Sequence, residues 1–80
     1  MLSRTLVKTD RIEIEGQAYT VDYFQATTER GTQRYSSETV LGPGDRIIVD
    51  DSSLGSLECR VARLMPATLY SRKLARDAAA

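Results

Sequence analysis

The chain has 80 residues, 41% of them hydrophobic and 28% charged, and its 11 basic and 11 acidic side chains leave no net charge. That length allows one domain with a modest core, the composition excludes a disordered chain, and the charge balance argues against nonspecific nucleic-acid binding by the whole surface. One cysteine excludes an internal disulfide, no apolar run is long enough to span a bilayer, and residues 1–10 lack a continuous signal-peptide core, so the reading is cytoplasmic with no membrane insertion.

In chain order, Ile12 and Ile14 alternate with Arg11, Glu13 and Glu15, the period-2 pattern of a half-buried strand over about 10–15. Gly16-Gln17 interrupts it, and a second strand over about 19–26 places Tyr19, Val21 and Tyr23 on one face, so the two pair as a hairpin. Residues 27–33 are polar with Gly31 at a position suited to positive φ, which predicts a loop before a weaker strand over about 34–41. Pro43-Gly44 suits the centre of a type II turn, and the run Ile47-Ile48-Val49 predicts a strand over about 46–50 buried on both faces or at a barrel corner.

After the polar stretch 50–55, Leu57, Cys59 and Val61 alternate with Glu58, Arg60 and Ala62, which predicts a fifth strand over about 56–64. Pro66 fits the first turn of a helix, and Ala67, Tyr70, Leu74 and Ala78 recur at helical spacing, predicting an amphipathic helix over about 66–77. Five short strands and one helix predict a mainly β domain spanning 1–80. A small antiparallel barrel of the SH3-like or OB-like kind is the first choice, and an open sheet capped by the helix the second. With no Trp and one Phe the core is aliphatic with a few tyrosines, and self-association is a reasonable supplementary source of stability.

The chain contains no histidine, which removes the commonest general base and metal ligand, and with one cysteine a zinc site of the usual ligands is excluded. No glycine-rich segment opens a helix as a phosphate loop does. The expectation is therefore a protein that is not an enzyme and carries no cofactor. Asp45, Asp50 and Asp51 read as turn residues accepting backbone hydrogen bonds in preference to a hard-cation site. Cys59, in phase with Leu57 and Val61, reads as a small core hydrophobe.

Charge is unevenly spread. Arg60, Arg63, Arg72, Lys73 and Arg76 lie between Cys59 and Asp77 with no acidic residue among them. Together with Tyr70 they form the candidate binding set, where a cationic groove and an aromatic platform would suit single-stranded nucleic acid, or a solvated helix face would need no ligand. The leading expectation is a non-catalytic interaction module that docks a protein partner or a second copy through its helix or an exposed strand edge. A nucleic-acid-binding barrel is the alternative.

Two short patterns support a third reading. Arg30-Gly-Thr-Gln-Arg34 resembles the Arg-x-x-x-Arg segment of the PilZ family, and Asp50-Asp-Ser-Ser-Leu-Gly55 resembles its Asp-x-Ser-x-x-Gly turn. The resemblance implies a cyclic dinucleotide held by Arg30, Arg34, Asp50, Ser52 and Gly55. In that family the arginine segment precedes the barrel, whereas here two predicted strands come before Arg30, and only 25 residues follow Gly55.

Overall fold

The computed structural model describes residues 4–79. Four strands form one antiparallel meander in the order β1 (Arg4–Ile14), β2 (Gln17–Thr27), β3 (Gln33–Gly42) and β4 (Asp45–Asp51), followed by one helix, α1 (Leu54–Ala79). The mainly β character and the hairpins are as read from the sequence. The barrel and its fifth strand are not: with four strands the sheet stays open and α1 covers one of its faces, the arrangement that is second choice from the sequence.

Each turn follows from its residues. Between β1 and β2, Glu15 and Gly16 both have positive φ (52° and 78°), the requirement of a type I′ turn, whose twist matches that of the strands it joins. In the β2–β3 loop the Thr28 hydroxyl accepts the Thr32 amide at 3.1 Å and Gly31 takes φ 82°. Between β3 and β4 Pro43 is followed by Gly44 at φ 71°, which agrees with a type II turn.

The largest departure from the sequence reading lies after β4. Leu57 and Val61 are four residues apart, a spacing that is one face of a strand and equally one face of a helix. The pattern continues as Met65 and Leu69, again at steps of four, and this longer stripe faces the sheet: Leu57, Val61 and Met65 are buried and Leu69 partly so. Ser53 starts the helix, its hydroxyl accepting the Ser56 amide at 3.2 Å and its carbonyl the Leu57 amide at 3.0 Å. Pro66 therefore sits inside α1 instead of opening it. Cys59 lies off the buried stripe and is exposed, so it is not the core residue that a strand would have made it. Ala67, Tyr70, Leu74 and Ala78, the apolar stripe of the shorter predicted helix, are all exposed.

The core is the seam between the layers: Val21 and Tyr23 of β2 and Ile47 and Val49 of β4 against Leu57, Val61 and Met65 of α1. Ser37 and Thr39 of β3 are buried beneath the helix, and the Ser37 hydroxyl donates to the Val49 carbonyl at 3.5 Å. The result is an elongated two-layer body of 47 × 23 × 17 Å. No helix among the described residues is long and apolar enough to cross a membrane.

Candidate interaction surface

Strand alternation sends every second side chain away from the helix, and nothing among the described residues covers that rear face. The register places Arg4, Leu6, Thr9, Arg11 and Glu13 of β1 there, beside Thr20, Asp22 and Phe24 of β2, Ser36, Glu38 and Val40 of β3, and Arg46, Ile48 and Asp50 of β4. Ile48, in the run expected to be buried on both faces or at a barrel corner, is 66% exposed because this side of the sheet has no second layer. Val40, diagonal to it, is 62% exposed, and Leu6, opposite Phe24, is 55% exposed.

Polar groups on this face are braced against one another. Glu38 at its centre accepts Arg46 Nη1 at 3.0 Å and Arg4 Nη2 at 3.3 Å, while the Arg4 guanidinium sits 4.0 Å from the centre of the Phe24 ring. The Thr9 hydroxyl donates to Asp22 at 2.9 Å, and Arg34 approaches Asp50 at 4.0 Å. Arg4, Arg11, Arg34 and Arg46 are matched by Glu13, Asp22, Glu38 and Asp50, so the face is neutral, with the two signs interleaved.

Both sheet edges are blunted. Asp45 closes the last turn opposite Gly42, so by alternation Arg46, Ile48 and Asp50 turn their backbone groups toward the free edge of β4. Two arginines reach around from α1 to these carbonyls. Arg60 Nη1 donates to the Asp50 carbonyl at 3.2 Å, and Arg72 Nη2 donates to the Arg46 carbonyl at 3.4 Å. Each is anchored by a carboxylate at one end of the strand, Arg60 by Asp51 at 3.7 Å and Arg72 by Asp45 at 3.0 Å. The Ser52 amide donates to Asp51 at 2.6 Å, and this bond is the main cause of an Asp51 pKa below the usual carboxylate value.

On the opposite edge, the register of β1 shifts between Leu6 and Lys8, and this bulge turns Lys8 toward the helix side. Its ammonium lies 2.7 Å from Glu58 of α1 and 3.0 Å from Asp10, with the Tyr23 ring centre at 5.1 Å. The Glu58 bond, then that of Asp10, raise the Lys8 pKa to about 12. Desolvation raises that of Tyr23, and the charges of Asp10 and Glu58 add to it.

The predicted basic set does not form one patch. Arg60 and Arg72 are engaged on β4, about 18 Å apart along the helix at 1.5 Å per residue. Arg63 is exposed on the helix. Tyr70, Arg72, Lys73 and Arg76 do share a groove of about 510 Å³ between the second half of α1 and the β1–β2 turn, with Tyr19 and Leu69 also in its wall. Glu15, Asp45 and Asp77 line the same groove and offset its cations.

Of the residues of the PilZ-like pattern, Arg34 approaches Asp50 at 4.0 Å, while Arg30 is exposed in the β2–β3 loop, Ser52 precedes the helix and Gly55 lies in its first turn. Sequence reasoning missed the rear face. The available signal was Ile48, which as the middle of three apolar residues in a four-stranded open sheet has to face away from the helix.

Comparison with known proteins finds no family model, curated protein or solved structure that matches the chain.

Proposed function

We propose that the chain is a non-catalytic interaction module that docks protein on the uncovered face of its sheet. One observation carries this reading. The helix covers one side only, and Leu6, Val40 and Ile48 stand exposed on the other around a braced Arg4–Glu38–Arg46 cluster. Exposed apolar side chains interspersed with charged ones on an uncovered face fit a docking surface. The absence of histidine from the whole sequence supports binding over catalysis, and a single free cysteine fits a reducing, cytoplasmic setting.

The test is site-specific photocrosslinking in the cell from position 48, with position 63 on the helix as control. The expected result is a discrete adduct from position 48 and none from position 63. No adduct from position 48, or equal labelling from both, contradicts the proposal.

The nucleic-acid reading keeps one supporting observation, the groove that joins Tyr70, Lys73 and Arg76 to Tyr19. It requires binding to short single strands that weakens steeply as salt is raised. Fluorescence titration at two salt concentrations decides it, and no binding at the lower one removes it. For the cyclic dinucleotide reading the observation is the Arg34–Asp50 approach. Absence of heat on titrating the dinucleotide into the chain ends that reading.

A further inference from the structure

We infer that the occupant of the rear face is a second copy of this chain, packed sheet to sheet about a two-fold axis that crosses β4 at Ile48. The inference rests on the docking role proposed for that face and names its partner. The charge pattern favours a copy over an unlike protein, and two further observations favour pairing by the face.

The first is charge. A face with four cations and four anions has no net field to select a basic or acidic partner, and along its β4 strip the signs can match their own image. The match is most specific on β4, whose rear-facing residues read Arg46, Ile48, Asp50. A two-fold axis running across the strands at Ile48 lays Ile48 on its counterpart. It also sets Arg46 of each copy against Asp50 of the other, opposite charges at both places. On the same level, Glu38 of β3 and Asp22 of β2 meet their counterparts, Glu38 with its charge already met by Arg4 and Arg46 and Asp22 accepting the Thr9 hydroxyl.

The second observation is that the edges are blunted against the commonest alternative. Strand addition along β4 has to displace Arg60 and Arg72 from the Asp50 and Arg46 carbonyls, and along β1 it meets the bulge before Lys8. Association is thereby directed from the edges to the face.

The third is area. Four strands about 4.8 Å apart and some eight residues long present a face on the order of 500 Å² per copy, roughly 1,000 Å² in all. That reaches the lower bound of a specific interface. The product is a helix–sheet–sheet–helix sandwich, in which each sheet is covered on both sides.

Sedimentation velocity from about 1 µM to about 1 mM is expected to show a monomer passing to a dimer. Ile48→Asp and, separately, Asp50→Arg hold the chain monomeric with unchanged circular dichroism, and the double variant Arg46→Asp/Asp50→Arg restores the dimer. As a check independent of charge, Ile48→Cys in a Cys59→Ser background forms an intermolecular disulfide under mild oxidation, whereas Arg63→Cys in that background does not. A wild-type chain monomeric throughout, a dimer that survives Ile48→Asp, or a double variant that stays monomeric overturns the inference. If the wild type is monomeric while crosslinking from position 48 still gives one adduct with another protein, the copy is wrong and the docking face stands. If crosslinking gives nothing, the docking face falls as well.

Discussion

At the scale of single residues, several side chains do structural work that their chemistry alone leaves undecided. Lys8 ties the β1 edge to α1 through Glu58, and its pKa is raised from 10.5 to about 12. A raised folded-state value means that its stabilising contribution is complete below 10.5 and is lost as pH climbs through about 12. The urea midpoint of the wild type is expected to fall across that interval more steeply than that of Lys8→Met, and equal slopes contradict the assignment. Asp51 has the opposite sign. Its lowered pKa stabilises the fold above 3.8, and this contribution is lost as acid protonates the carboxylate below that value. Ser53→Ala removes the helix cap and is expected to cost about 1 kcal/mol in urea unfolding. The capping serine was present in the sequence, but without a helix assigned behind it its hydroxyl had no reading beyond a turn. Arg60 and Arg72 were read as ligand contacts because sequence shows charge and not what the charge already holds.

At the scale of elements, the three turns were legible because Gly16, Gly31 and Pro43-Gly44 mark where the chain reverses, but β1 begins at Arg4 and not near residue 10, its first half hidden by the register shift between Leu6 and Lys8 that breaks the alternation. The fifth predicted strand failed because Leu57 and Val61 satisfy both periods, and Pro66 drew the helix boundary twelve residues beyond its observed start at Leu54. A proline inside a helix leaves the Ala62 carbonyl without its amide donor and ordinarily costs about 3 kcal/mol relative to alanine. Pro66→Ala is accordingly expected to raise stability by roughly 1–3 kcal/mol, read as a higher unfolding midpoint. A lower midpoint assigns the proline a packing role. For β4, the paired change Arg60→Ala/Arg72→Ala uncovers the Asp50 and Arg46 carbonyls. The expected result is concentration-dependent assembly with increased β signal and thioflavin binding, and a variant that stays dispersed at high concentration argues that these arginines do not guard the edge.

At the scale of the whole molecule, one helix on one side of an open sheet leaves a body 47 Å long whose apolar seam is closed on the helix side and bare on the other. That imbalance is what the second choice from the sequence, an open sheet capped by the helix, implies; the barrel stood first because a fifth strand in place of the first half of α1 would have curled the sheet toward closure and left no rear face. The composition did carry a trace of it. A modest core and zero net charge both fit a chain that adds apolar contact by meeting its own kind. A dilution series of amide nitrogen–proton NMR spectra tests this most directly, since it reports at once whether association occurs and where. Shifts that grow with concentration at Leu6, Phe24, Val40 and Arg46 to Asp50, with Tyr70, Lys73 and Arg76 unchanged, are the expected result. Shifts confined to the helix groove, or spectra identical at every concentration, contradict the account.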